Sequence, residues 1–342
     1  CPPPMTHAAM ADRAALTRHP PRDDAPPADP RARARWAERR MALAETPTVD
    51  STPDGPRRRR LARVNDAVMA TGRALLRLSR LDGVAARRAR AVRRTDLTVA
   101  VPDLPPDLEG YRILHVTDPH FDALPGLAEA IVTAAADARP HLGLFGGDYR
   151  AAADGPFRER SVLGDVATVM RGIRARDGWF GVLGNHDPHD IVPPLEREGL
   201  RILVNETIRI RVGEARLLVA GPDDVHRFYT DAARVALEPP ERRRGEFGVA
   251  LVHSPELASE AAAAGYGLYL AGHTHGGQIR PWPGRPPVIH LHRCPGLWGG
   301  PWRIGGMTGH TSRGAGVSGI PLRLACRAEV ILATLRRAAP AR

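Results

Sequence analysis

Leu268-Tyr269-Leu270-Ala271-Gly272-His273-Thr274-His275-Gly276-Gly277 is a short apolar run that ends in two histidines framed by glycine. Its first four residues have the length and composition of a buried strand. Two imidazoles two residues apart on extended chain point to the same side. The flanking glycines let the backbone turn sharply and approach another group closely. Neutral imidazole is the commonest metal ligand among side chains. The stretch reads as half of a metal site at a strand exit. Taken alone, it also fits two exposed loop histidines.

Four other strand-like runs end in the same way. Ile113-Leu114-His115-Val116 releases Thr117-Asp118-Pro119-His120, and Leu142-Gly143-Leu144-Phe145 releases Gly146-Gly147-Asp148. Gly181-Val182-Leu183 releases Gly184-Asn185-His186-Asp187, and Val249-Ala250-Leu251-Val252 releases His253. Each is weak alone, because an Asp after a strand usually caps a helix and an isolated His is usually structural. Five such exits in one domain argue for one assembled site, since open α/β sheets bind ligands beyond the carboxyl ends of their strands. Nitrogen and oxygen donors without thiolate suit Mn, Fe, Zn, Co or Ni.

The surrounding texture is α/β. From residue 97 the patterns read strand 97–101, strand 113–116, helix 124–138, strand 142–145, helix 162–175 and strand 179–183. A short helix starts at 194, and strands cover 201–204, 207–212 and 216–220. Helix 230–237, strand 247–252, helix 255–264 and strand 268–271 follow. A long Pro/Gly/Trp-rich loop runs from 279 to about 311, and strands at 323–326 and 329–335 close the chain. Strands and helices alternate and then strands cluster, which predicts a layered α/β sandwich of mixed sheets.

Composition bounds the rest. The chain has 342 residues, and all 49 of its basic residues are Arg. With so much Ala, Pro and Gly, this matches the codon bias of a GC-rich genome. Residues 1–96 carry 21 Arg against 11 acids, and residues 97–342 carry 28 against 27, so all but one unit of the net charge of +11 sits in residues 1–96. A nearly neutral main domain argues against nucleic acid as partner. Three sparse cysteines, Cys1, Cys294 and Cys326, fit a reducing compartment. No apolar run approaches the ~18–20 residues of a membrane span.

Residues 1–60 are rich in Pro, Ala, Arg and Asp without apolar periodicity, and the expectation is a disordered leader. Residues 61–94 are expected to be a basic amphipathic helical segment, with Leu61, Val64, Val68, Leu75, Leu76 and Leu78 among arginines. Such a helix can rest on an anionic membrane surface, with residues 57–94 as the contact, or pack on the domain. The expected location is cytoplasmic, with peripheral contact at the inner face of the cell membrane. The catalytic domain is expected over 95–337, with a tail at 338–342.

With these five motifs in order, the chain resembles the calcineurin-like metallophosphoesterase superfamily, whose motifs run D-x-H, G-D, G-N-H-D, H and G-H-x-H. The Gly272-to-Gln278 form and the closing segment Ser312-to-Arg323 resemble the YkuE/YaeI-type bacterial phosphodiesterase subgroup. The likeness covers roughly residues 95–337. It implies a four-layer αββα sandwich of two mixed sheets flanked by helices. It also implies a pair of divalent metal ions. Asp118, His120 and His275 would hold one, Asn185, His253 and His273 the other, and Asp148 would bridge them. His186 would face the substrate, with Asp187 either orienting its imidazole or capping the turn.

The implied activity is hydrolysis of a phosphodiester or pyrophosphate bond, on a small-molecule or lipid-linked substrate such as UDP-2,3-diacylglucosamine or a phospholipid. A phosphomonoesterase, protein phosphatase or nuclease of the same superfamily is the alternative, and a non-catalytic binding module the more distant one. Arg150 stands where the family often has an acid, and reads as a surface Arg or a phosphate contact. Trp282, Trp298 and Trp302, with His290, His292 and His310, either pack their own loop or offer a stacking surface to substrate.

Overall fold

The computed structural model describes residues 29–45, 67, 69–152, 159–238, 245–280, 286 and 289–338. Helix α1 (Pro30–Glu45) and helix α2 (Asp82–Ala89) precede the first strand. The strands are β1 (Arg93–Val101), β2 (Arg112–Val116), β3 (Leu142–Phe145), β4 (Trp179–Gly181), β5 (Arg201–Ile202) and β6 (Glu206–Val212). Then come β7 (Ala215–Gly221), β8 (Glu246–Leu251), β9 (Leu268–Ala271), β10 (Gly300–Ile304), β11 (Met307–Thr311) and β12 (Glu329–Arg337). Helices α3 (Leu127–Ala134), α4 (Glu159–Gly172), α5 (Val192–Arg197), α6 (Asp231–Val235) and α7 (Ala258–Ala263) connect them.

The strands make two six-stranded sheets, ordered β1-β12-β2-β3-β4-β5 and β10-β11-β9-β8-β7-β6. Both are mixed: β12 runs antiparallel to β2, and β6 antiparallel to β7, while β2, β3, β4 and β5 are parallel, as are β7, β8 and β9. Alternation along each strand decides the layers. Ile113, Leu142, Leu144 and Phe180 face Leu217, Val249, Leu251 and Leu268 between the sheets. Their neighbours Leu114, Val116 and Phe145 turn outward onto α3, α4 and α5. Leu218, Ala250 and Tyr269 turn outward on the other side, onto Ala258 and Ala261 of α7. The result is the helix–sheet–sheet–helix sandwich the resemblance implied.

This packing positions the site. In the first sheet Val116 pairs with Phe145, and Phe145 with Gly181. In the second, Leu251 pairs with Leu270. The carboxyl ends of β2, β3, β4, β8 and β9 therefore stop level with each other along one edge of the sandwich.

Three segments differ from expectation. Residues 300–311, expected as loop, form the β10–β11 hairpin, closed by Gly305-Gly306 with Gly305 at φ 56°, a turn pair that suits a two-residue hairpin. Trp302 packs on Tyr269 and covers Gly309, and its Nε1 donates to Thr311, so this tryptophan serves the hairpin. Residues 323–326 are not a strand: Leu324 makes a single bridge to Ile279, and Arg323 is buried under the 313–316 loop. Residues 30–45, expected as disordered, are helix α1, because polar contacts rather than apolar burial hold it. Leu61, Val64, Val68 and Trp282 lie outside the described residues. Residues 69–78 are helical, and the chain bends at Arg80 (φ 56°) before α2. No helix among the described residues is long and apolar enough to cross a membrane.

Candidate metal centre

Six of the expected side chains gather in two groups: Asp118, His120 and His275, and Asp148, His253 and His273. The amide of Asn185 joins the second, with Oδ1 2.8 Å from His273 Nδ1 and 3.2 Å from His253 Nε2. Asp148 stands between the groups. Its Oδ2 lies 3.6 Å from His120 Nε2 on one side and 3.5 Å from His253 Nε2 on the other. The two histidines of the Gly272-to-Gly277 stretch part company here. The chain there is a tight turn, with His273 at φ 72° and His275 at φ 49°, and it sends one ring to each group.

The local backbone is bent to do this. Among the described residues ten non-glycine residues have positive φ, and five are Asp118, His120, Asp148, His273 and His275. Each such position costs roughly 1–3 kcal/mol and persists only where its surroundings enforce it. Two glycines make the room. A Cβ on Gly272 would overlap the Asp118 carboxylate, and one on Gly184 would overlap that of Asp148.

The donor set fits divalent cations. His120 Nδ1 donates to Arg150 O (2.7 Å), His253 Nδ1 to Gly146 O (2.8 Å) and His273 Nε2 to His290 O (3.1 Å). Each ring thus turns its other nitrogen inward, the arrangement that orients a metal-binding imidazole. His120 Nε2 and His275 Nε2 face each other at 3.1 Å, close enough for one cation to take both. Burial lowers the His120 pKa to about 4 and holds those of His273 and His275 well below the usual imidazole range, which keeps the rings neutral. Burial raises the Asp118 carboxyl to about 6. Burial also opposes charge on Asp148 and His253, but each overcomes it for the other. Asp148 is held well below the ordinary carboxylate value, and His253 is raised to about 10. A cation bound there replaces that imidazolium charge and releases its proton.

His186 is half-buried at the rim, edge-on to His120 with ring centroids 5.0 Å apart. Its Nδ1 donates to Ala151 O at 2.6 Å, which leaves Nε2 as the exchanging atom. Asp187 does not orient that ring. Its carboxylate accepts the backbone N–H groups of Asp148 (2.7 Å), Tyr149 (2.9 Å) and Gly184 (2.8 Å). It is a backbone clamp between two ligand loops, and burial raises its pKa to about 6. Arg150 is not a surface group: it is buried, and its Nε donates to His186 O at 2.8 Å.

Two contributors escaped the sequence reading. His226 stacks on His273 with centroids 3.8 Å apart. The signal was a sixth strand exit, Pro222-Asp223-Asp224-Val225-His226 after β7. Arg40, from α1, holds carbonyls of the Gly184-to-Asp187 turn. Its signal was the helical spacing of Arg33, Trp36 and Arg40.

A two-sheet sandwich that gathers carboxylate, amide and imidazole donors at adjoining strand ends defines a two-metal hydrolase. Residues 111–277 match the calcineurin-like phosphoesterase family, and the chain carries a calcineurin-like metallophosphoesterase domain there. It is a metal-dependent phosphoester hydrolase. The chain is 25% identical over 255 residues to the uncharacterized metallophosphoesterase YkuE of Bacillus subtilis (strain 168), covering 72% of this chain and 86% of that one. It is 27% identical over 237 residues to the phosphodiesterase YaeI of Escherichia coli (strain K12), covering 66% and 82%. Both relatives support the subgroup resemblance. The NAD nucleotidase of Haemophilus influenzae matches with a TM-score of 0.40 at 14% identity, over 60% of this chain and 45% of that chain, a likeness that carries no argument.

Proposed function

We propose that this enzyme is a two-metal phosphodiesterase whose substrate is a lipid-linked phosphodiester or pyrophosphate, such as a phospholipid or UDP-2,3-diacylglucosamine. The observation that carries the two-metal reading is Asp148, placed within 3.6 Å of an imidazole nitrogen from each ligand group. Two divalent cations, when bound, supply an activated water and offset the charge of the phosphate oxygens. In this reading Asp118, His120 and His275 hold one cation, Asn185, His253 and His273 hold the other, and Asp148 serves both. Manganese suits this donor set. His186, its Nδ1 fixed on Ala151 O, offers a proton at Nε2 to the departing oxygen.

YaeI, a relative, is by its name a phosphodiesterase, which supports the diesterase reading. One observation supports a lipid-linked substrate. Beside the domain, Leu75, Leu78 and Leu81 are 60%, 81% and 52% exposed, among Arg73, Arg77 and Arg80. Apolar side chains in water beside guanidinium groups suit contact with an anionic bilayer. The same edge supports the reading of a peripheral position on the inner face of the cell membrane.

The test is turnover by the Mn²⁺-loaded chain. Bis(p-nitrophenyl) phosphate should be cleaved faster than p-nitrophenyl phosphate, and faster monoester cleavage would reject the diesterase reading. UDP-2,3-diacylglucosamine or phospholipid in anionic vesicles should be cleaved faster than the same headgroup without acyl chains. Equal rates would reject the lipid reading.

A further inference from the structure

Helix α1 lies outside residues 111–277, yet it reaches the metal centre. Its one buried residue is Arg40, 2% exposed. Arg40 Nη2 donates to Gly184 O at 2.8 Å and to Asp187 O at 2.7 Å, and Nε reaches Asp187 O at 3.3 Å. Nη1 pairs with the Asp223 carboxylate, and the guanidinium lies 3.8 Å from the centroid of the Phe228 ring. Trp36 Nε1 donates to the other oxygen of Asp223 at 2.6 Å. One turn earlier, Arg33 binds Glu196 (2.9 Å), Glu206 (3.2 Å) and Ile202 O (2.7 Å).

The turn that carries Asn185 and His186 is thus gripped on every side. Arg40 takes the carbonyls of 184 and 187, Arg150 takes that of 186, and the Asp187 carboxylate takes the amide of 184. The planar fork of arginine suits several acceptors in fixed directions, which lysine cannot reproduce. A helix docked only for bulk would bury an apolar stripe. This one buries a guanidinium, whose loss would remove a charged donor from Asp223 and from two carbonyls.

We propose that α1 is a built-in brace for the metal centre, and that Arg40 is a positioning residue for the Asn185 amide and the His186 ring. The proposal rests on the two-metal reading of the centre. Partners one layer behind the ligands typically change metal affinity or activity about 10–100-fold.

The experiment compares the full-length wild-type chain with Arg40→Ala, Arg40→Lys and, as a control on the exposed face of the same helix, Arg39→Ala. Calorimetry reads the affinities of the two Mn²⁺ ions, and bis(p-nitrophenyl) phosphate hydrolysis reads kcat and KM. Arg40→Ala should weaken one Mn²⁺ about 10–100-fold and leave the other within about twofold. At saturating Mn²⁺ it should lower kcat about tenfold with KM nearly unchanged, and added guanidinium should restore part of kcat. Arg40→Lys should fall between, and Arg39→Ala should match wild type. Unchanged Mn²⁺ affinities and kcat in Arg40→Ala would overturn the brace. If Arg40→Ala does not fold, Trp36→Phe removes a single donor from Asp223 and should weaken the same ion roughly 3–10-fold. No change there also overturns the brace. A wild type that binds two Mn²⁺ without turnover defeats the diesterase reading, while the Mn²⁺ comparison still decides the role of Arg40.

Discussion

The strand ends between residues 112 and 277 and the helix at residues 30–45 meet at the same turn from opposite sides. On the inner side Asp118, His120, Asp148, His253, His273 and His275 converge, mostly on strained backbone. On the outer side Arg40 touches no ligand side chain; it holds carbonyls. The inner residues carry the chemistry because lone pairs must converge within ångströms of an ion. The outer residues fix only where the backbone runs. Damage to the first should remove function outright, and damage to the second should reduce it by degrees.

The inner set gives the largest expected effect. Asp148→Asn removes the carboxylate shared by both groups. The chain should lose most of its bound metal, read by elemental analysis. Loss of several kcal/mol of charge stabilisation should cut bis(p-nitrophenyl) phosphate turnover by roughly 10³-fold or more. Retention of two metals with full turnover would remove Asp148 from the centre. Next comes His186→Ala. It should lower kcat by about 10²–10⁴-fold, the usual worth of a general acid, while the metal content stays at the wild-type value. Metal loss in this variant would make His186 a ligand instead.

Asp187 lies where inner and outer sets join, and its expected effect is intermediate. Asp187→Ala strands three buried N–H groups, those of Asp148, Tyr149 and Gly184, at roughly 1–3 kcal/mol each. A loss of about 3 kcal/mol or more in unfolding free energy is expected from denaturant titration. The pH profile of kcat should keep its shape, because the His186 ring is held by Ala151 O and not by Asp187. A displaced acid or base limb would restore Asp187 as the partner of that ring.

The same contrast explains what the sequence disclosed. Each ligand follows its strand by a few residues, so apolar run plus Asp, Asn or His is visible locally, and five repetitions made the centre and its sandwich readable. The role of Asp187 was not, because a turn-capping Asp and an imidazole-orienting Asp have the same neighbours in sequence. Arg40 was hidden for a different reason. Its partners Gly184, Asp187 and Asp223 are 144 to 183 positions away, and α1 shows no apolar stripe to betray a docked face. The β10–β11 hairpin was missed because the surrounding Pro/Gly/Trp composition read as loop, although Gly305-Gly306 suits a two-residue turn.

The smallest effect on the folded enzyme should come from the outermost residues. Leu78 is 81% exposed on the helical stretch 69–78, so it contributes little to packing. Leu78→Ser should leave unfolding free energy within about 0.5 kcal/mol of wild type, as for most surface substitutions. Turnover of bis(p-nitrophenyl) phosphate in solution should be unaffected, since the ligands and His186 lie in another part of the fold. Binding to anionic vesicles should fall about tenfold, because a leucine transferred from water to an apolar phase is worth roughly 1.5–3 kcal/mol. Raising the salt concentration should weaken what remains, through the neighbouring Arg73, Arg77 and Arg80. Sedimentation with vesicles measures both. Equal binding by wild type and variant would separate this leucine edge from the membrane and leave the metal centre as it stands.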